Sequence, residues 1–432
     1  MKMRFVLKQT GVGSERLGQL TGFMKSPNSI IETPTAALFT QGGSVVNITA
    51  EVLAMIFTTP QMLWVPVSNS MHLENGLKAQ NEGVAKFAGL SEHFACVTLH
   101  SMSEATPAGH FEQDKMPVWT KNGKKLVTAD RYMDLMELYK PDMYMVIADG
   151  QTSLSESKKR MGKAVERTCK TLNKCMDRHK ASDTLKHSSV IGVIVATADS
   201  KQCDEFIEKL IVHKESLCGV TLQGITDGSD DSFSVPYETL DAIFKKIGES
   251  IPNNLLRIIE GCWSPPVILA AIERGWDLFD GSFPLKLTNA GLALRLNLDI
   301  NKTDETPFFL NLKDVKYKED FTPILASCEC LACRKHTRAY IRHLLNTREM
   351  LAGVLLSIHN LHHFDQFFHH ARRHIAEKTF DVFKDHITKQ CNAHKLVIPV
   401  PKEKSEKPDE TLLQSNKKKR IEAIEVNKES NT

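Results

Sequence analysis

The sequence alternates eight short apolar runs with segments of helical period, and this alternation limits the possible folds more than any other feature. Runs such as Val190–Thr197 and Leu255–Gly261 contain little polar alternation, as expected of parallel strands that are buried on both faces. The segments between them carry apolar residues every three or four positions. The eight runs are Ala36–Gln41, Met62–Val67, Phe94–His100, Met143–Asp149, Val190–Thr197, Gly219–Ile225, Leu255–Gly261 and Trp276–Phe283. Eight strand–helix units predict an α/β fold, a (β/α)8 TIM barrel, with an open doubly wound sheet as the alternative.

A barrel of this kind places its chemistry at the carboxyl ends of its strands. The residues expected there lie at or near the end of each predicted strand. They are Gln41, Ser68, His100, Asp149, Thr197, Gln223, Gly261 and Asp280.

Composition excludes several classes of protein. The chain has 55 Lys and Arg against 52 Asp and Glu, a formal net charge of +3, so contact with nucleic acid requires a local basic patch. No apolar run approaches the roughly 18 residues of a membrane span, and the N-terminal apolar stretch is too short for a secretory signal. The 10 cysteines therefore indicate reduced thiols or a metal site, not a disulfide framework.

The rhythm changes after the eighth run, which predicts three regions. Residues 1–305 form the barrel, and residues 306–397 form a zinc-binding subdomain with closing C-terminal helices. A helical stretch is expected from about Thr337 to Ile375, followed by a shorter helix that ends near Asn392. Residues 398–432 are a charged tail expected to be disordered, in which Lys417–Arg420 is a solvated charge run, a phosphate contact or a targeting signal.

A cysteine cluster carries the strongest chemical signal. Cys328, Cys330 and Cys333 form a C-x-C-x2-C motif, and close thiolates favour Zn2+ over hard cations. Three sulfurs leave one tetrahedral position, which His359, His362 or His363 could fill. A site with four protein ligands would be structural, because a catalytic zinc keeps a place for water or substrate.

The segment around this cluster resembles the tRNA-guanine transglycosylase (queuine tRNA-ribosyltransferase) family. The resemblance lies in the cysteine motif, in Arg338-Ala339-Tyr340 and in Ile358–Leu361, which matches the family's LHNL. Asn69–Leu73 resembles its NTYHL segment, and Phe279–Pro284 resembles its nucleophile strand. The resemblance implies a barrel with an attached zinc subdomain and one structural zinc, with His359 as the fourth ligand.

The departures from the family pattern indicate that catalysis is lost. Family enzymes carry a second aspartate in a DSGGF-type motif, where this chain has Val97–Ser103 and no carboxylate. Asp280 matches the nucleophile, but Leu285-Lys286 replaces the family's Thr-Arg, and a lysine cannot reproduce the two-pronged contact of arginine. We therefore interpret Asp280 as a vestigial nucleophile without a catalytic role, and Asp149 and Gln223 as remnants of the base-binding site.

This pattern resembles the non-catalytic accessory subunits of the family. The resemblance implies a heterodimer with a catalytic subunit that exchanges guanine for queuine at wobble position 34 of tRNAs with GUN anticodons. It also implies a cytoplasmic protein with peripheral association at the mitochondrial outer membrane and no transmembrane segment. Lys158, Lys159 and Arg160 are candidate RNA contacts.

Two alternatives stay open at this point. One is an independently active transglycosylase that uses Asp280 as the nucleophile, with His100 as an unconventional proton donor. The other is a metal-dependent barrel hydrolase that uses the histidine-rich segment from His359 to His374 catalytically.

Overall fold

Strand pairing closes the eight predicted runs into a barrel. In the computed structural model, which describes residues 2–101, 114–150, 152, 157–196, 200–225, 237–302, 307–394 and 396, each of the eight contains a strand. The strands of the described residues are β1 Arg4–Thr10, β2 Arg16–Thr21, β3 Ile31–Thr33, β4 Thr35–Gln41, β5 Ser44–Val45, β6 Met62–Pro66, β7 Phe94–Thr98, β8 Met116–Thr120, β9 Gly123–Val127, β10 Met143–Met145, β11 Ser189–Val195, β12 Leu217–Gln223, β13 Leu256–Ile259, β14 Leu278–Gly281, β15 Leu292–Leu294 and β16 Phe309–Asn311.

The helices connect these strands and cover the barrel. They are α1 Ala50–Ile56, α2 Val67–Ser70, α3 Glu74–Gln80, α4 Val84–Phe87, α5 Ala129–Tyr139, α6 Lys158–Ala181, α7 Ser200–Ile211, α8 Tyr237–Ser250, α9 Pro265–Glu273, α10 Ser282–Ala290, α11 Leu331–Lys335, α12 Arg338–Asn346, α13 Met350–Ala376 and α14 Phe380–Ala393. Local capping and proline fix two of the helix starts: the Ser157 hydroxyl accepts from Arg160 N at 3.3 Å, and Pro265 is the first residue of α9.

The barrel order is β4-β6-β7-β10-β11-β12-β13-β14, and β14 pairs with β4 to close the ring. Each of these pairings is parallel, and Asp280 lies opposite Ala37 at the closing seam. A Cβ on Gly281 would lie 2.0 Å from Ala37 O, so the seam requires glycine there. Every residue of β11 and β12 is buried, as the unbroken apolar runs predicted. The closed barrel excludes the doubly wound sheet.

An N-terminal sheet of three antiparallel strands, β1-β2-β3, was not predicted. A buried ion pair ties it to the barrel: Arg16 Nε donates to Asp277 Oδ1 at 2.8 Å, just before β14. The alternation of polar and apolar residues in these three strands is too short to distinguish them from a loop by sequence.

The predicted helical stretch from Thr337 to Ile375 consists of two helices, α12 and α13. The chain turns between α12 and α13, where Arg348 takes a left-handed backbone with φ of 57°. A shorter C-terminal helix is present as predicted and is α14. The division at residues 305/306 and 397/398 stays a prediction, and residues 398–432, including Lys417–Arg420, lie outside the described residues.

Candidate functional site: a cysteine–histidine cluster and a closed barrel mouth

Three cysteines and one histidine converge beside the barrel. Cys328 and Cys330 precede α11, Cys333 lies within it, and His359 projects from α13, which packs against α11. His359 Nδ1 lies 3.7 Å from Cys328 Sγ, 3.7 Å from Cys330 Sγ and 3.3 Å from Cys333 Sγ. These four ligand atoms all lie within 4.8 Å of one another.

The other ring nitrogen of His359 forms a hydrogen bond with the backbone. Its Nε2 lies 2.7 Å from Leu294 O in β15, a carbonyl that can only accept, so Nε2 carries the proton. Nδ1 therefore presents its lone pair to the three sulfurs. A backbone partner that fixes the tautomer of a ligating histidine is a usual feature of metal sites.

His363, one turn later on α13, points elsewhere. Its Nε2 lies 3.1 Å from Leu296 O, and its ring stacks on that of His359 with centroids 5.7 Å apart. Of the candidates left open by spacing, the structure therefore brings His359 into the group.

The distances from His359 Nδ1 to the three sulfurs fit a tetrahedral metal ion. Metal–ligand bonds of about 2.3 Å to sulfur and 2.0–2.1 Å to nitrogen place the two ligand atoms about 3.5 Å apart at a tetrahedral angle. The observed distances of 3.3 to 3.7 Å match. Hydrogen bonds from Cys330 and Cys333 lower the pKa of Cys328, so the cluster favours a thiolate. The donor set suits a soft or borderline cation such as zinc.

The second group of predicted residues lies at the carboxyl end of the barrel strands, which we call the barrel mouth. Most of these residues are buried, so the mouth is closed. His100, Asp149, Gln223 and Asp280 are each no more than 4% exposed. Ser68 is buried in α2, Gln41 and Gly261 are at their predicted strand ends, and Thr197 lies outside the described residues.

Asp280 is held in place by its own strand end. Its Oδ1 accepts from Ser282 N at 2.8 Å, and burial raises the pKa of its carboxyl to about 7. A nucleophile must reach the anomeric carbon of a ribose, and this carboxyl is 2% exposed.

A second buried carboxylate, Glu260, was missed by the sequence interpretation. It follows β13, and because Ile259 pairs with Phe279, Glu260 and Asp280 lie side by side. The Val97–Ser103 segment has no carboxylate, but the end of the seventh barrel strand supplies one beside Asp280. The sequence signal was the final Glu-Gly of the run Leu255–Gly261.

Glu260 is fully engaged by neighbouring polar side chains. Its Oε2 accepts from the Thr98 hydroxyl at 2.7 Å, and its Oε1 accepts from Gln223 Nε2 and lies 3.4 Å from the Thr221 hydroxyl. Burial, with the nearby Asp280, raises its pKa to about 7. Gln223, expected at a base-binding position, donates to Glu260 instead.

Two arginines of α6 occupy the Asp149 carboxylate. Arg160 Nη2 lies 2.6 Å from Asp149 Oδ1, and Arg167 Nη1 lies 2.9 Å from Oδ2. Arg160, expected to contact RNA, points inward, whereas Lys158 and Lys159 lie exposed at the start of α6. In the described residues, the edge of Asp149 that could read a base is already paired.

His100 is a poor proton donor. Burial lowers its pKa to about 4, so the imidazole is neutral near pH 7 and can only accept a proton. The independently active alternative lacks its expected acid.

Within the part of the chain that the structure describes, no helix is long and apolar enough to cross a membrane.

Comparison with known proteins gives a consistent family assignment. The family model described as "Queuine tRNA-ribosyltransferase" matches residues 13–393. A protein of Aedes aegypti named queuine tRNA-ribosyltransferase accessory subunit 2 is 33% identical over 405 residues, covering 93% of this chain and 95% of that protein. Proteins of the same name from Culex quinquefasciatus (34% identical; 95% of each chain covered) and Homo sapiens (31%; 87% of this chain, 97% of that one) are similar over comparable lengths. With the closed barrel and the cysteine–histidine cluster, these matches show that the chain belongs to the queuine tRNA-ribosyltransferase family.

Proposed function

We propose that this chain is the non-catalytic accessory subunit of a heterodimeric queuine tRNA-ribosyltransferase. Its catalytic partner would exchange guanine for queuine at wobble position 34 of tRNAs with GUN anticodons. The observation that carries the proposal is the state of the barrel mouth. The vestigial nucleophile Asp280 is buried, and Asp149 and Gln223, where a base would bind, are paired within the chain. The names of the similar proteins from the three species support the same role.

Cys328, Cys330, Cys333 and His359 would hold one structural Zn2+ per chain. The four protein ligands fill a tetrahedral shell, which leaves no place for a reacting water. Bound zinc would join the loop before α11 to the long helix α13, and the His359–Leu294 contact would join that pair to β15. The role that fits these residues is to order this region, and the histidine-rich hydrolase alternative has no support from this arrangement.

The partners and the cellular location belong to the same proposal. We expect a heterodimer, contact with tRNA, and a cytoplasmic location with peripheral association at the mitochondrial outer membrane. The name of the similar proteins supports the catalytic partner, and the resemblance alone supports the location.

Co-purification with a base-exchange assay tests the proposal. The tagged full chain is expressed with the catalytic subunit, and incorporation of labelled guanine into tRNA is measured before and after the two are separated. We expect activity in the complex, none in this chain alone, and recovery on mixing. Exchange by the isolated chain that Asp280→Asn abolishes would establish the independent enzyme instead.

A further inference from the structure

Helix α6 concentrates positive charge to a degree that the rest of the chain does not. Its 24 residues hold nine Lys and Arg against two Asp and Glu. The formal net charge of the whole chain is only +3, so the remainder is slightly acidic. Such local excess is the electrostatic footprint of a surface that meets a polyanion.

The charges lie along one side of the helix. Lys163, Arg167, Lys170 and Lys174 follow at intervals of four, three and four residues, which places them on a common face. We call these four residues the α6 basic face. At 1.5 Å per residue it extends for about 16 Å, long enough to meet several phosphates of one strand.

Only part of this charge is held in ion pairs among the described residues. Arg167 forms an ion pair with the buried Asp149, and Lys170 Nζ lies 2.5 Å from Asp114 Oδ1. Among the described residues, Lys163 and Lys174 form no ion pair. A surface hollow of about 310 Å³ lies against Lys163, Glu166, Arg167 and Lys170.

The exposed side chains of α6 also discriminate between polyanions. Apart from the terminal Ala181, every exposed residue of the helix is polar, and the other apolar residues are buried or partly buried. A helix that binds a lipid surface needs apolar side chains to insert beside its basic ones. A helix that tracks a sugar–phosphate backbone needs only the positive charges.

We propose that the α6 basic face binds the phosphate backbone of the tRNA substrate. This rests on the proposed function, since it names the surface through which an accessory subunit would hold RNA. The helix starts at the barrel end that carries Asp149, so RNA on this face would lie along the flank of the closed mouth. The contacts would add affinity without reading bases.

The test uses the full-length chain and an unmodified tRNA transcript. Affinity is measured by fluorescence anisotropy across a salt series for Lys163→Ala/Lys174→Ala and for a control pair, Lys245→Ala/Lys389→Ala. The control removes two exposed lysines of α8 and α14 and changes net charge equally. We expect about tenfold weaker binding for the α6 pair, a salt dependence lower by roughly two phosphate contacts, and near-normal binding for the control. Circular dichroism and zinc content establish that both variants are folded.

Three outcomes would overturn the assignment. The first is wild-type tRNA affinity and salt dependence in the α6 variant. The second is an equal loss of tRNA affinity in the α6 variant and the control variant. The third is unchanged tRNA binding by the α6 variant with loss of binding to phosphatidylserine vesicles, which would indicate a lipid surface. Failure here is separable from failure of the proposed function. A chain that co-purifies with the catalytic subunit but keeps tRNA affinity without these lysines refutes only the basic face. A chain that loses affinity as predicted but never joins a catalytic subunit refutes only the accessory role.

Discussion

Single residues at the barrel mouth form hydrogen bonds and ion pairs within the protein itself. Asp149 pairs with Arg160 and Arg167, Gln223 donates to Glu260, and Asp280 accepts from the backbone of Ser282. The contacts of Asp149 and Gln223 satisfy polar groups that an open base site would leave for its ligand. Asp280 is satisfied at Oδ1 only, because its Oδ2 is buried without a hydrogen-bond partner among the described residues.

The buried Asp280 should make stability depend on pH. The pKa of its carboxyl is about 7 when folded, against an ordinary 3.8, so the folded state loses stability as pH rises between these values. Asp280→Asn removes this loss, and we expect it to stabilise the chain by up to about 4 kcal/mol at pH 8 and by much less near pH 5. Melting temperatures at the two pH values measure the difference; an equal effect at both would contradict the burial argument.

The arginine pair on Asp149 can be tested as a thermodynamic cycle. Arg167→Ala leaves a buried carboxylate with one partner fewer, which should cost roughly 3 kcal/mol of stability. In an Asp149→Asn background the same change should cost far less, because no charge is left buried. Unfolding free energies of the four proteins give the coupling, and additive effects would show that Arg167 stabilises α6 by other contacts.

Secondary-structure elements could be predicted where the apolar pattern extends over many residues. The break between α12 and α13 was not predicted, because it depends on the backbone conformation of one residue. All eight barrel runs became strands, because unbroken apolar runs between helical segments have few other readings. The turn between α12 and α13 depends on Arg348 in a left-handed backbone, a conformation for which glycine or asparagine is the usual signal.

The cysteine–histidine cluster should hold the C-terminal elements together. We expect Cys328→Ala and His359→Ala to lose bound zinc and to expose α11–α13 to limited proteolysis, with the barrel strands less affected. Cys169→Ala and His369→Ala, which change the same residue types outside the cluster, are matched controls. Metal analysis decides the ligand assignment: unchanged zinc in either cluster variant would refute it.

At the scale of the whole molecule, the sequence predicted the barrel and the four clustered residues but not the second carboxylate at its mouth. Closure of the barrel brings β13 beside β14, and only that pairing sets Glu260 next to Asp280. Which carboxyls are buried and which are paired depends on side chains from five strands and α6. No local pattern in the sequence contains that information.

The central claim is that base exchange proceeds without any chemistry in this barrel. The most direct measurement is the rate of guanine exchange in complexes where one subunit at a time has lost its nucleophile. We predict that Asp280→Asn in this chain leaves the rate of the complex near wild type, while loss of the nucleophilic aspartate in the catalytic subunit abolishes it. A large loss of exchange from Asp280→Asn in a complex that still assembles and binds tRNA would contradict the account.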